Sequence, residues 1–158
     1  MNKDAGAALA PDWQVSQWLN TKVALDLAVL RGRVVVLHAF QMLCPGCVNH
    51  GLPQAERIHR QFDSSDVAVI GMHTVFEHHS VMTPEALRVF LHECRITHPI
   101  AVDRAIAGDP IPATMRAYQM QGTPTLVLID RQGRRRFQQF GRVEDLAAGA
   151  ELMSLVRE

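Results

Sequence analysis

Short apolar runs alternate with helical patterns along most of the chain. Val34 to Phe40 is a continuous apolar run rich in β-branched residues, bounded upstream by Arg31-Gly32-Arg33, and it predicts a central strand covered on both faces. From Val48 the period changes. Val48, Leu52, Ala55, Ile58 and Phe62 recur at steps of three and four, the spacing of one helix face, and Pro53 is expected to bend that helix. Residues 67–75 predict the next buried strand. Thr83-Pro84 then supplies an N-cap and a first helical residue for a crossover helix with Leu87, Phe90, Leu91 and Cys94 on one face.

Ile100 to Asp103 predicts a short strand, and 105–112, with Gly108, Pro110 and Pro112, a loop. A short helix over 113–121 and a strong strand over 125–130 follow. Arg131-Gln132-Gly133-Arg134 turns the chain into a strand at Arg135 to Phe140, and a last helix carries Leu146, Leu152, Leu155 and Val156. Crossover helices impose parallel pairing and the terminal hairpin imposes antiparallel pairing, so the fold class is α/β with a mixed sheet. With 158 residues and 47% hydrophobic content, the chain is expected to form one domain over 1–158.

Cys44-Pro45-Gly46-Cys47 lies directly between the first apolar run and the first helical pattern. Two cysteines at this spacing can close a small disulfide that reopens easily. Pro45 suits a first helical position, which puts Cys44 at or next to the N-cap, where unpaired backbone N–H groups and the positive end of the helix favour a thiolate. Cys44 is therefore the expected nucleophile. Cys47, one turn further in and less exposed, is the expected resolving cysteine.

Charge adds little. Lys plus Arg and Asp plus Glu each total 16, so net charge gives no reason to expect a nucleic acid, a membrane surface or an acidic partner. No apolar run approaches a membrane span, and Asp4, Gly6 and Pro11 interrupt the first dozen residues, so a cytoplasmic protein is expected. Three cysteines do not make a structural disulfide framework.

The run LRGRVVVLHAF, the CPGC, the later TPEALRVFL and GTPTLVLIDRQG, together with Ala10-Pro11-Asp12-Trp13, resemble the thioredoxin fold, specifically its redoxin or TlpA/ResA-like branch. The resemblance covers nearly the whole chain. It implies a three-layer sandwich, with the central sheet flanked by helices, extra N-terminal strands and a helix insertion after the CxxC helix. It also implies that Pro124, 77 residues beyond Cys47, is a cis-proline opposite the CxxC, and that Thr123 offers its backbone to an incoming peptide disulfide. The implied activity is thiol–disulfide exchange with a disulfide-containing or dithiol protein partner, without a cofactor.

The chain departs from that pattern around the cysteines. Leu43, after Gln41 and Met42, stands where the family usually has an aromatic residue. The buried carboxylate that thioredoxins carry six residues before the nucleophile is His38, and the glutamate that ResA-like proteins carry three residues after the second cysteine is His50. His50 is either an acceptor for the resolving thiol's proton or a helix-surface histidine; His38 is either a satisfied core histidine or a proton carrier. Cys44, Cys47 and His50 with His73, His78 and His79 raise a zinc reading. The spacing supplies three ligands on one and a half helical turns and no second CxxC, so no metal is expected. Cys94 is expected to be buried and inert, and Arg134-Arg135-Arg136 to be a charged hairpin face. A thiol peroxidase with Cys44 peroxidatic and Cys47 resolving is the alternative, weakened by Gln41 at the usual peroxiredoxin threonine position; a non-enzymatic redox sensor or zinc-binding module is a third reading.

Overall fold

The computed structural model describes residues 7–158; Asp4 and Gly6, used in reading the N-terminus, lie outside them. The strands are β1 (Val15–Leu19), β2 (Val34–Phe40), β3 (Val67–His73), β4 (Ile100–Asp103), β5 (Thr125–Ile129) and β6 (Arg135–Phe140). The helices are α1 (Leu52–Gln61), α2 (Pro84–Glu93), α3 (Ala113–Ala117) and α4 (Asp145–Val156). The strands form one sheet in the order β1-β4-β3-β2-β5-β6. β2 pairs parallel with β3, and β3 with β4, across the two crossovers, whereas β1 with β4, β2 with β5 and β5 with β6 are antiparallel. This is the expected α/β thioredoxin-like architecture with a mixed sheet. Its N-terminal addition is β1 and a bridge between Leu9 and Arg134.

All seven residues of β2 are buried. Alternation sends Val35, Leu37 and Ala39 into one core with Trp13, Leu30, Met115 and Tyr118, so α3 and the N-terminal segment cover that face. Val34 and Val36 pack on the other face against Ala55 of α1 and Ala148, Leu152 and Leu155 of α4. Phe40, further along that same face, joins Cys47, Leu52, Leu87, Leu91 and Ile100. Among the described residues no helix is long and apolar enough to cross a membrane.

Several sequence expectations shift. The helix that starts at Pro45 widens into a π-helical turn over Cys47–Gly51 and runs on as α1, so Pro53, which removes one ladder N–H, falls just after an irregular turn instead of in regular helix. β3 stops at His73, two residues short of the expected end, although the Thr74 N–H still donates to the Phe40 carbonyl at 3.1 Å and its hydroxyl to the buried Asp103 carboxylate at 3.0 Å. α3 stops at Ala117, with Gln119 in the left-handed region at φ 53°. Leu146 is 91% exposed and does not belong to the buried face of α4. Asp145 turns toward α1, where it binds Gln54 and Arg57, and one residue further the helix has rotated about 100° away. Cys94 is exposed, not buried: α2 ends at Glu93, and Arg95 at φ 54° turns the chain before the position reaches the core.

Gly71 marks the tightest approach in the middle of the sheet. A Cβ there would lie 2.5 Å from the buried Ile100 Cδ1 and within 3.3 Å of two histidine rings. Gly71→Ala is expected to lower stability by about 1–3 kcal/mol, read from the urea midpoint at constant m-value; an unchanged midpoint would contradict this packing.

Candidate active site

The turn after β2 is held from below by β3 and the loop that follows it. The Gln41 side chain accepts from the Phe76 N–H at 3.1 Å and donates to Glu77 at 3.4 Å. Met42 N–H donates to His73 Nε2 at 3.3 Å, and Cys44 N–H donates to the Gln41 carbonyl at 3.1 Å. His73 is buried, and burial pushes its pKa down to about 4, which keeps the ring neutral and its Nε2 free to accept.

Pro45 is the first helical residue, so Cys44 stands immediately before the helix as expected. Both thiols of the pair are free. Cys44 is half-buried; its Sγ accepts the Cys47 N–H at 3.3 Å, and its thiol donates to the Thr123 carbonyl at 3.5 Å. Cys47 is fully buried among Phe40, Met42 and Leu52. That burial, and then the hydrogen bond with the Cys44 side chain, push its pKa up to about 12. The accessible sulfur thus has a backbone donor aimed at it, while the inner one needs a proton acceptor before it becomes a nucleophile.

The Thr123–Pro124 peptide bond is cis. Pro124 lies close against the dithiol turn: a Cβ at Gly46 would meet Pro124 Cδ at 3.4 Å, an ordinary contact, and one at Gly51 would meet Pro124 Cβ at a tight 3.2 Å. The structure therefore brings Cys44, Cys47, Thr123 and Pro124 together.

His50 is half-buried with Nε2 2.8 Å from the Val143 carbonyl, which Gln54 also contacts at 2.8 Å. His38 is buried and stacked on Phe40 with ring centroids 5.2 Å apart, but it is not a satisfied core histidine, because neither ring nitrogen has a hydrogen-bond partner. It sits on an otherwise apolar strand face, and His98, whose ring is 5.5 Å away, has its Nδ1 committed to Glu56. Desolvation holds the pKa of His38 well below its ordinary value. His78 and His79 lie on an exposed loop, apart from the buried His73, and His79 Nε2 is 3.0 Å from the Pro110 carbonyl.

Sequence reasoning missed Glu56, His98 and the hold of His73 on Met42. A signal for Glu56 was available, since a charged residue four positions after Leu52 falls on the apolar face of the helix.

No protein-family model matches the chain. It is 54% identical to a thiol-disulfide isomerase from Corynebacterium glutamicum of known structure, with a TM-score of 0.93 over 96% of this chain and 97% of that one. A thioredoxin-like superfamily protein of known structure is 52% identical, also at a TM-score of 0.93, over 95% of this chain and 97% of that one. The chain belongs to the thioredoxin-like superfamily. It is also 31% identical over 135 residues to Protein DipZ of Mycobacterium tuberculosis; the match takes in 84% of this chain and spans 18% of that relative's length.

The buried His73 makes stability depend on pH. The unfolded chain binds a proton on this imidazole below about pH 6.5, and the folded protein does so only below about 4. Its contribution is complete above pH 6.5 and falls away as the pH drops from 6.5 to 4, by about 3 kcal/mol at most. His38, also held low, adds to the same decline. His73→Gln keeps an acceptor for Met42 and does not titrate, so denaturation midpoints at pH 7 and 4.5 should differ less in the variant than in the wild type; equal differences would exclude this role.

Proposed function

We propose that the protein is a thiol–disulfide oxidoreductase working through Cys44 and Cys47 on a disulfide-containing or dithiol protein partner. The observation that carries this reading is the position of Cys44 Sγ between the Cys47 N–H at 3.3 Å and the Thr123 carbonyl at 3.5 Å, with a second thiol buried behind it. The high identity to a thiol-disulfide isomerase along almost the full length of both chains supports it.

In the reductive direction the Cys44 thiolate attacks one sulfur of the partner disulfide. An S–S bond forms between Cys44 and the partner, the partner's own S–S bond breaks, and its other sulfur leaves as a thiolate. Cys47 then loses its proton and attacks Cys44, closing the Cys44–Cys47 disulfide and releasing the second partner sulfur. The partner gains two electrons and the dithiol loses two. Thr123, beside Cys44 at the mouth of the site, offers its backbone to the extended partner segment, and Pro124 supports the turn from beneath. The exposed Leu43 gives the rim an aliphatic contact.

Cys44→Ser is expected to abolish reduction of a protein disulfide such as that of insulin, and Cys47→Ser to accumulate mixed disulfides, visible as a mass increase that a reducing agent reverses. Trapping by Cys44→Ser and not by Cys47→Ser would reverse the assignment of roles.

A further inference from the structure

α1 and α2 line a shared cleft on one face of the sheet, and the exchange steps make no use of it. Its volume is about 310 Å³, which falls within the range of clefts that hold ligands. Leu52 of α1, Phe90 of α2 and Ile96 just beyond α2 give it an apolar floor. The cleft opens at Val48, which is 36% exposed and whose N–H donates to the Cys44 carbonyl at 3.0 Å. That entrance is one helical turn from the nucleophile, and Cys44 itself packs on the cluster that contains Leu52 and Ile96.

Gly46 and Gly51 meet Pro124, whereas Val48 and Leu52 line the cleft, so the cis-proline loop and the cleft flank opposite sides of the same stretch of helix. A partner chain whose cysteine reaches Cys44, with one flank on the Thr123 backbone, has its other flank directed at Val48. From Val48 to Arg60 the helix covers roughly 18 Å, the length of about five extended residues.

The end of the cleft away from Cys44 is cationic. Arg57, Arg60 and Arg95 line it, with Glu56 as the acid among them. The Glu56 carboxylate is already occupied by the Thr97 N–H at 2.7 Å and the His98 N–H at 3.0 Å, and it only brushes Arg60 at 3.5 Å. Arg57 is held by Asp145 at 3.0 Å, but among the described residues the exposed Arg95 guanidinium has no hydrogen bond or ion pair. Beyond Arg95 the surface continues into a groove of about 780 Å³ lined by Arg88 and His92, with Glu93 as its acid. In a chain of net charge zero this is a local surplus of positive charge, and it begins where an apolar channel leading from the nucleophile ends.

We propose that the cleft between α1 and α2 receives the partner segment that flanks its reacting cysteine, and that it selects an apolar residue followed by acidic ones. This rests on the oxidoreductase reading and specifies its partner class. The apolar residue covers Leu52, Phe90 and Ile96, and the carboxylates meet Arg60 and Arg95. Charge complementarity of this kind acts on encounter and on partner choice more than on the bond exchange itself.

Two synthetic peptides test this with the full chain. Each is closed by an internal disulfide, and they differ only in whether the leucine on either side of it is followed by a run of glutamates or of glutamines. At about 20 mM salt the reduced protein is expected to reduce the glutamate peptide about 10-fold faster, with the difference lost near about 500 mM. Arg60→Gln combined with Arg95→Asn is expected to bring the ratio of the two rates close to one; asparagine tolerates the left-handed backbone that Arg95 adopts at φ 54°. Once Cys44 and Cys47 are joined in the oxidised protein, Cys94 on the cleft wall is the remaining thiol of the three, and the glutamate peptide is expected to slow its alkylation by N-ethylmaleimide several-fold. Equal rates for the two peptides at low salt, a preference kept by the double variant, or alkylation of Cys94 unaffected by the glutamate peptide would each overturn the assignment. A wild type that reduces neither peptide while the glutamate peptide still shields Cys94 would instead remove the oxidoreductase reading beneath it.

Discussion

β2 is buried on both faces and hydrogen-bonded along both edges, and each part of the site is placed by reference to it. Its C-terminal end delivers the dithiol turn. The antiparallel register that sets Ala39 beside Thr125 brings Thr123 and Pro124 to that same end. The parallel register that sets Phe40 beside His73 puts the imidazole under Met42, and the pairing of His38 with Gly71 opens room for the rings behind the cysteines. A shift of one residue in either pairing would turn His38 to the opposite face and separate Cys44 from Thr123.

Burial divides the work between two identical functional groups. Cys44 stands half-buried before a helix, with a backbone N–H on its sulfur, while Cys47 is enclosed among apolar side chains and held strongly protonated. In the proposed exchange, a thiol held so firmly protonated stays inert until the mixed disulfide forms, which limits side reactions with other disulfides. On the proposed reading, the same enclosure makes proton removal a requirement of the second step. The close fit of Pro124 against Gly46 and Gly51 ties the turn's shape to the loop that would receive the partner.

The strands were legible because continuous apolar runs bounded by Gly, Pro or charge have few alternatives: Val34–Phe40, Ile100–Asp103 and Arg135–Phe140 appear with the bounds the sequence predicts. Helix interiors were legible by their period, but not their ends or rotation. Cys94 and Leu146 fit an apolar spacing and yet face solvent, because a left-handed Arg95 and the grip of Asp145 on α1 decide those positions through tertiary contacts. Cys44 and Cys47 could be read from a motif with local mechanics. Glu56 and His98, 42 positions apart, could not, since their bond exists only once α1 has packed beside the start of β4. His38 was visible as a polar residue in an apolar run, but its lack of any partner is a property of the folded core.

The central claim is that Cys44 and Cys47 form a reversible two-electron couple, and the most direct test is equilibration of the protein in glutathione buffers of graded ratio, with the thiol and disulfide forms counted by mass. The account predicts a single transition that fits a two-electron exchange, with a potential between about −270 and −120 mV. A pair that never equilibrates with glutathione, or whose potential falls below about −300 mV as in a structural disulfide, would contradict it.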